Sequence, residues 1–255
     1  CSGTVGNFIV MIRQEAIIAK PHLYEGQHTV LSEVKPFDEF SITSDKEVIN
    51  GRSCARYLKP SNKRDIPTLM KDEGFTVDEG LNLNKGYTED TVEEEQHTLD
   101  TIQKWSLAQP KQTANELFRD ADFVSNRGIL KKIACKLTCP IGNFEIVALR
   151  IGKIIFLDEF MRYTSDIFTY RGHKFEEFLT TIPNEGSTKN GTFNIMVRSD
   201  LVTPNGDPIR LTYSAEVDAI DKSCKNYVEM KIRKKGTPKN HFSRLVMLQY
   251  IGQTI

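Results

Sequence analysis

The chain has 255 residues, 39% of them hydrophobic and 27% charged, which suits one large globular domain or two closely merged ones. Lys plus Arg and Asp plus Glu number 34 each, so the formal net charge is zero and a uniformly basic nucleic-acid binder of the histone type is excluded. A local basic groove is not excluded, because a phosphate chain is steered by local charge. The five cysteines, Cys1, Cys54, Cys135, Cys139 and Cys224, are irregularly spaced without a matching Cys/His pair, which argues against structural zinc and for free thiols in a reducing compartment. The sequence carries no apolar run near the length of a membrane span and no secretory signal pattern, so the expected setting is nucleus or cytoplasm, with no membrane partner.

In chain order, "NFIVMIR" (7–13) and "HTVLSEV" (28–34) read as strands, and "KPSNKRDIP" (59–67) as a basic, turn-rich connector. The segment 88–109 predicts a helix. Thr88 and Thr91 offer N-caps, acids fill the first turn, Val92, Leu99, Ile102, Trp105 and Leu107 form an apolar stripe, and Pro110 ends it. Three runs, 127–137, 144–152 and 153–160, read as a strand meander with turns at Gly142-Asn143 and Gly152-Lys153. A helix follows over 165–180, capped by Ser165 or Asp166 and carrying Gly172 in its interior, where glycine costs about 1 kcal/mol relative to alanine. Three strands, 192–202, 209–220 and 226–234, come next, linked by "TPNGDP" and "DKSCKN", and a last helix runs over 240–255. The order predicts a mixed α+β or α/β fold: a central, largely antiparallel (mixed) β-sheet flanked by helices, in a single catalytic domain over residues 1–255.

The chemistry is concentrated in "YSAEVDAI" and "YVEMKIRKK". Glu216 and Asp218 are two residues apart, as are Glu229 and Lys231. On a strand each pair shares one face, with β-carbons about 6.6 Å apart. If the two strands pair, three carboxylates and one ammonium meet on one surface. Such carboxylates repel, and at least one pKa must rise unless something compensates. A hard divalent cation, Mg2+ or Mn2+, is the direct compensation, because it takes carboxylate oxygens as ligands. An acid followed by E-x-K is the D/E-x-K nuclease-like arrangement, in which Lys231 holds a phosphate oxygen or the attacking water. Upstream, "GHKFEEF" places Glu176 four residues after Gly172, on the same helix face. Taken alone, each of these pairs is also consistent with a solvated face carrying a weak ion pair.

"GHKFEEF", "SAEVDAI" and "YVEMKIRKK", in this order, resemble the signature of the decapping exoribonuclease (DXO) family. "FVSNRGILKKIA" looks like that family's earlier Arg-Gly motif, which makes Arg127 the matching arginine. The family usually has an aromatic just before it, where this chain has Asn126. The resemblance runs from about Asn50 to the end, and the first fifty residues match poorly. It implies Glu176, Glu216, Asp218, Glu229 and the Met230 carbonyl as metal ligands for two divalent ions, with Lys231 orienting the phosphate or water. It also implies Arg127 and a glutamine on the final helix, Gln253 (or Gln249 one turn earlier), as substrate contacts. The family normally continues beyond this point with more strands and a helix.

The resemblance implies hydrolysis at the 5′ end of RNA: removal of incomplete or unusual caps, including NAD caps, release of pyrophosphate from 5′-triphosphate RNA, and 5′–3′ exoribonuclease activity. Alternatives from other classes are a non-catalytic partner that stabilises a 5′–3′ exoribonuclease, and a DNA nuclease with the same E-x-K core. Phe123, Tyr163 and Tyr170 are stacking candidates, with core packing as the plainer role. His173 and His241 read as structural or surface residues.

Overall fold

The structure, a computed structural model, describes residues 30–32, 34–59, 66–78, 80, 95–136, 145–162, 167–182, 191–203 and 205–231. The expected strand at 7–13, the final helix with Gln249, Gln253 and His241, Tyr163, and the caps Thr88, Thr91, Ser165 and Asp166 lie outside these residues.

In chain order the strands and helices are β1 (Val30–Leu31), β2 (Lys35–Ile42), β3 (Val48–Asn50), β4 (Tyr57–Leu58), α1 (Ile66–Asp72), β5 (Glu95–His97), α2 (Asp100–Ala108), α3 (Ala114–Leu117), β6 (Phe123–Asn126) and α4 (Arg127–Lys136). They continue with β7 (Val147–Ile151), β8 (Ile154–Asp158), β9 (Phe160–Arg162), α5 (Ile167–Leu179), β10 (Thr180–Thr181), β11 (Thr192–Val202), β12 (Pro208–Glu216), β13 (Ala219–Ile220) and β14 (Tyr227–Val228). The expected mixed architecture is what forms. An eight-stranded sheet runs β3-β2-β11-β12-β6-β8-β7, with β1 beside β11. Its pairs are antiparallel except β12/β6 and β6/β8, which are parallel. A smaller sheet runs β10-β4-β13-β14, and β5 pairs with β9.

The long central strands β11 and β12 are buried on both faces. On one side Phe40, Ile102, Trp105, Phe118, Val124 and Met196 form a core beneath α2 and α3. The other side buries Phe193, Ile195, Val197, Tyr213, Ala215 and Val217. A third cluster, Phe175, Phe178 and Leu179 of α5 with Ala219 and Met230, packs α5 on the smaller sheet. Fully burying side chains of this size contributes about 1.5–3 kcal/mol each, so these clusters supply the main drive for folding.

Several expectations change in the structure. Among the described residues of the predicted helix 88–109, the helix runs from Asp100, and Glu95–His97 is a strand instead. The start of α2 is set from a distance: Asp158 accepts hydrogen bonds from the Thr98 hydroxyl (2.9 Å) and the Leu99 N–H (3.2 Å). A tertiary carboxylate therefore does the work assigned to local threonines. Ile102 and Trp105 are buried as expected, but Leu107 is 77% exposed and leaves the stripe.

The run 127–137 is not a strand but helix α4. Asn126 ends β6, and its side-chain oxygen accepts the Gly128 N–H at 2.7 Å, an N-cap that converts the chain from strand to helix. The departure from the family's aromatic at this position is thus a local helix start. The β7/β8 hairpin turns at Gly152 as predicted, with φ +61°. Gly142-Asn143 lies outside the described residues. The run 153–160 is divided, because Glu159 separates β8 from β9 and β9 pairs with β5. The predicted strands 209–220 and 226–234 are shorter than expected: the first breaks at Val217–Asp218 and passes from the large sheet to the small one, and the second ends at Val228.

Candidate active site

The break after β12 builds the site. Glu216 is the last residue of the large sheet's β12, opposite Asn194 of β11. Asp218 lies in the two-residue link to β13. β13 then pairs with β14 in the register Ala219↔Val228 and Ile220↔Tyr227, so Asp218 continues toward Glu229. The Met230 N–H donates to Asp218 Oδ2 at 2.7 Å, which closes this end of the pair. Glu176 arrives from α5, because Phe175 beside it packs against Ala219 and Met230. Gly172, one turn earlier, has open space where a side chain would begin.

Arg127 enters from the parallel neighbour. β6 runs beside β12 with Asn126 opposite Ser214, and the chain turns into α4 at Arg127. Its guanidinium donates through Nη1 (3.3 Å) and Nη2 (3.2 Å) to Glu229 Oε2. Lys231 pairs with the other Glu229 oxygen, Oε1, and lies 3.8 Å from Asp218 Oδ2. Glu229 and Lys231 therefore share a side, as the E-x-K spacing predicts, although both lie just past the end of β14 rather than within it. Asp218 and Glu229 are shielded, with side chains 13% and 15% exposed, whereas Lys231 is 46% exposed and open to a ligand.

The electrostatics follow from this crowding. Burial, then the charges of Asp218 and Glu176, push the Glu216 carboxyl up to about 7, although the residue keeps exposed surface. Burial, then Glu229, pushes Asp218 up to about 6, against the opposing Met230 N–H and Lys231 charge. His173 stands one turn before Glu176, with Nδ1 3.6 Å from its Oε2. The Glu176 carboxylate raises the His173 pKa, with burial and the Arg56 charge opposing. His173 is a surface residue, as expected, but it also faces the acidic cluster. Its helical spacing from Glu176 was the available signal for that. Arg56, just ahead of β4, is a further cation near the site that the sequence reading did not single out.

The sequence-predicted residues Glu176, Glu216, Asp218, Glu229, Met230, Lys231 and Arg127 are thus brought to one region; Gln253 lies outside the described residues. Among the described residues no three His, Cys, Asp or Glu side chains close around a single point at metal-ligating distances. The donor chemistry nevertheless fits a hard divalent cation: four carboxylates gather here, and the pKa values of Glu216 and Asp218 are driven up by burial and then by their acidic neighbours. Glu229 is turned to Arg127 and Lys231, so ligation by it requires that carboxylate to be shared or to turn. Of the stacking candidates, Phe123 is half-buried in β6, and Tyr170 carries the Lys174 ammonium 5.9 Å from its ring centre.

A mixed sheet that delivers acids and an E-x-K lysine to one end defines the PD-(D/E)XK class of nuclease folds. The model of the RAI1-like PD-(D/E)XK nuclease family matches residues 32–250, earlier than the Asn50 start expected from the motifs, and the chain belongs to that family. A Drosophila melanogaster relative, "Decapping and exoribonuclease protein Rai1", is 24% identical over 244 residues, covering 82% of this chain and 61% of the relative. The chain thus spans about three fifths of that relative's length. The S. pombe Rai1 structure in complex with 3′-FADP superposes with a TM-score of 0.62 at 20% identity, over 89% of this chain and 68% of that one. Candida albicans Rai1 in complex with pU5-Mn2+ gives 0.53 at 14% identity, over 88% and 66%.

Proposed function

We propose that the chain is a metal-dependent hydrolase of RNA 5′ ends. In this reading Glu176, Glu216, Asp218 and Glu229, with the Met230 carbonyl, hold Mg2+ or Mn2+, in one or two ions. The observation that carries the reading is the approach of carboxylates from α5, the end of β12, the β12–β13 link and the exit of β14, beside Lys231 and Arg127. It is supported by family membership and by two related structures, one in complex with pU5 and manganese and one with 3′-FADP.

A bound divalent cation supplies charge neutralisation on the phosphate oxygens and lowers the pKa of water. The protein groups then have defined tasks. Arg127 presents two N–H donors in a fork that fits two phosphate oxygens. Lys231 places a point charge at the solvent-facing side, where it orients a phosphate oxygen or the attacking water. Glu216, crowded by Asp218 and Glu176, completes the acidic set whose repulsion a cation relieves. Phosphoryl transfer demands chiefly positioning and charge compensation, so this small set suffices. Backbone and stacking contacts hold the RNA without reading its bases.

The substrates in this reading are RNAs with non-canonical or incomplete caps, NAD caps or a 5′-triphosphate, with 5′–3′ degradation able to follow. The protein is incubated with manganese and cap-labelled, 5′-triphosphate and 5′-monophosphate RNA beside matched DNA. Released cap dinucleotide or pyrophosphate supports the proposal. Cleavage of DNA alone points to a DNA nuclease, and no product from folded protein points to a binding role beside an exoribonuclease.

A further inference from the structure

Glu216 belongs to the large sheet and Glu229 follows the last strand of the small one, so the site's dimensions depend on how the two sheets are held together. The pairing of β13 with β14 covers only two residues on each strand, too little to fix that distance by itself. A second tie is present. Glu39, on β2 of the large sheet, accepts from Arg52 Nε at 2.7 Å through Oε2 and from Arg52 Nη2 at 2.6 Å through Oε1. The same Oε1 accepts from the Tyr227 hydroxyl at 2.6 Å, and Tyr227 is in β14, two residues before Glu229. Arg52 also donates through Nη1 to the Cys224 carbonyl at 3.0 Å, in the loop that enters β14.

That loop is closed on itself. Asp221 accepts from the Ser223 hydroxyl, the Lys225 and Asn226 N–H groups and the Asn226 amide. Cys224 adopts a left-handed backbone at φ +58°. The loop and β14 therefore move as one piece, and Arg52 and Glu39 grip that piece at Cys224 and at Tyr227. The Tyr227 ring also lies 6.3 Å from Phe193 of β11, so its packing does not depend on the hydroxyl.

We infer that Glu39, Arg52 and Tyr227 form a positioning clamp that sets Glu229, Met230 and Lys231 against Glu216 and so tunes metal affinity; this rests on the metal-site reading proposed above. None of the three belongs to the proposed metal or substrate set; they act through the placement of β14. Removing the Tyr227 hydroxyl frees the strand end while leaving both cores packed.

The test is Mn2+ titration of the whole chain followed by electron paramagnetic resonance, with melting temperatures recorded in chelator. Tyr227→Phe is expected to weaken Mn2+ binding about tenfold, the low end for groups that orient a site's ligands, while its melting temperature stays close to that of the parent. Glu39→Gln is expected to do the same, and the double variant to bind no more weakly than either single one, because the groups act as a unit. Wild-type Mn2+ affinity in Tyr227→Phe overturns the clamp, and so does strict additivity in the double variant. Asp218→Asn is the control for the site itself. If it binds Mn2+ as the parent does, the metal-site reading fails; if it loses Mn2+ while Tyr227→Phe keeps it, only the clamp fails.

Discussion

The amide of Met230 reaches across twelve residues of sequence to Asp218, donating to its carboxylate at 2.7 Å. This bond joins the exit of the last strand to the link between the two sheets. It gives Asp218 a fixed donor while the other carboxylate oxygen stays available. In Asp218→Asn that acceptor charge is lost together with a proposed metal ligand. The variant is expected to lose more than about 100-fold in release of pyrophosphate from 5′-triphosphate RNA, with an unchanged far-ultraviolet circular dichroism spectrum. Activity within a few-fold of the parent would remove Asp218 from the site.

Arg127 is held by Glu229 and by the turn from β6 into α4. Replacing it with lysine keeps the charge but loses the fork of donors. Arg127→Lys is expected to lower activity on 5′-phosphorylated RNA by about tenfold or more, since a bidentate site does not accept the exchange as conservative. Asn126→Ala removes the cap of α4 and should cost about 1 kcal/mol of stability, measured by urea denaturation.

The raised carboxyls give the protein a pH signature. The Glu216 pKa stands near 7 against 4.5 for an ordinary glutamate, and Asp218 near 6 against 3.8 for an ordinary aspartate. Between those limits the folded state binds protons that the unfolded chain releases. Stability therefore falls as pH rises from about 3.8 to 7, with Asp218 acting over the lower part and Glu216 over the upper. Metal competes with those protons, so Mn2+ affinity rises over the same range. Thermal melts in chelator should show a higher melting temperature at pH 5.5 than at pH 7.5. Glu216→Gln, which cannot ionise, should flatten that slope.

Gly191 precedes β11, and a β-carbon there would stand 2.6 Å from the Ile42 carbonyl oxygen, with the Cys54 sulfur also in its path. The backbone oxygen cannot swing aside. Gly191→Ala is expected to destabilise the fold by about 1–3 kcal/mol in chemical denaturation, without altering metal affinity in the fraction that remains folded.

Much of this arrangement is legible in the sequence. The spacing of Glu216 with Asp218 and of Glu229 with Lys231 reports which side chains meet, and the runs over 192–202 and 165–180 report β11 to the residue and α5 to within two residues. Tertiary interactions decided what was misread. In 127–136 Ile129 and Ile133 have helical spacing, but the length and the Arg-Gly start suit a strand equally until Asn126 is seen capping Gly128. His97 and its neighbours become a strand because β9 offers a partner and Asp158 starts the helix late. The break at Val217–Asp218 carries no glycine or proline. It arises because the strand leaves one sheet for another, which no local pattern announces. Glu39, Arg52 and Tyr227 are far apart in sequence, and their union depends on the packing of the two sheets.

The central claim is that acids from separate elements cooperate in holding a divalent cation. Anomalous diffraction from a crystal soaked in MnCl2 tests it most directly. A manganese peak within about 2.0–2.3 Å of carboxylate oxygens from Asp218 and at least two of Glu176, Glu216 and Glu229 is the predicted result. A well-ordered map in which these carboxylates stay on Arg127, Lys231 and solvent, with no peak among them, would contradict it.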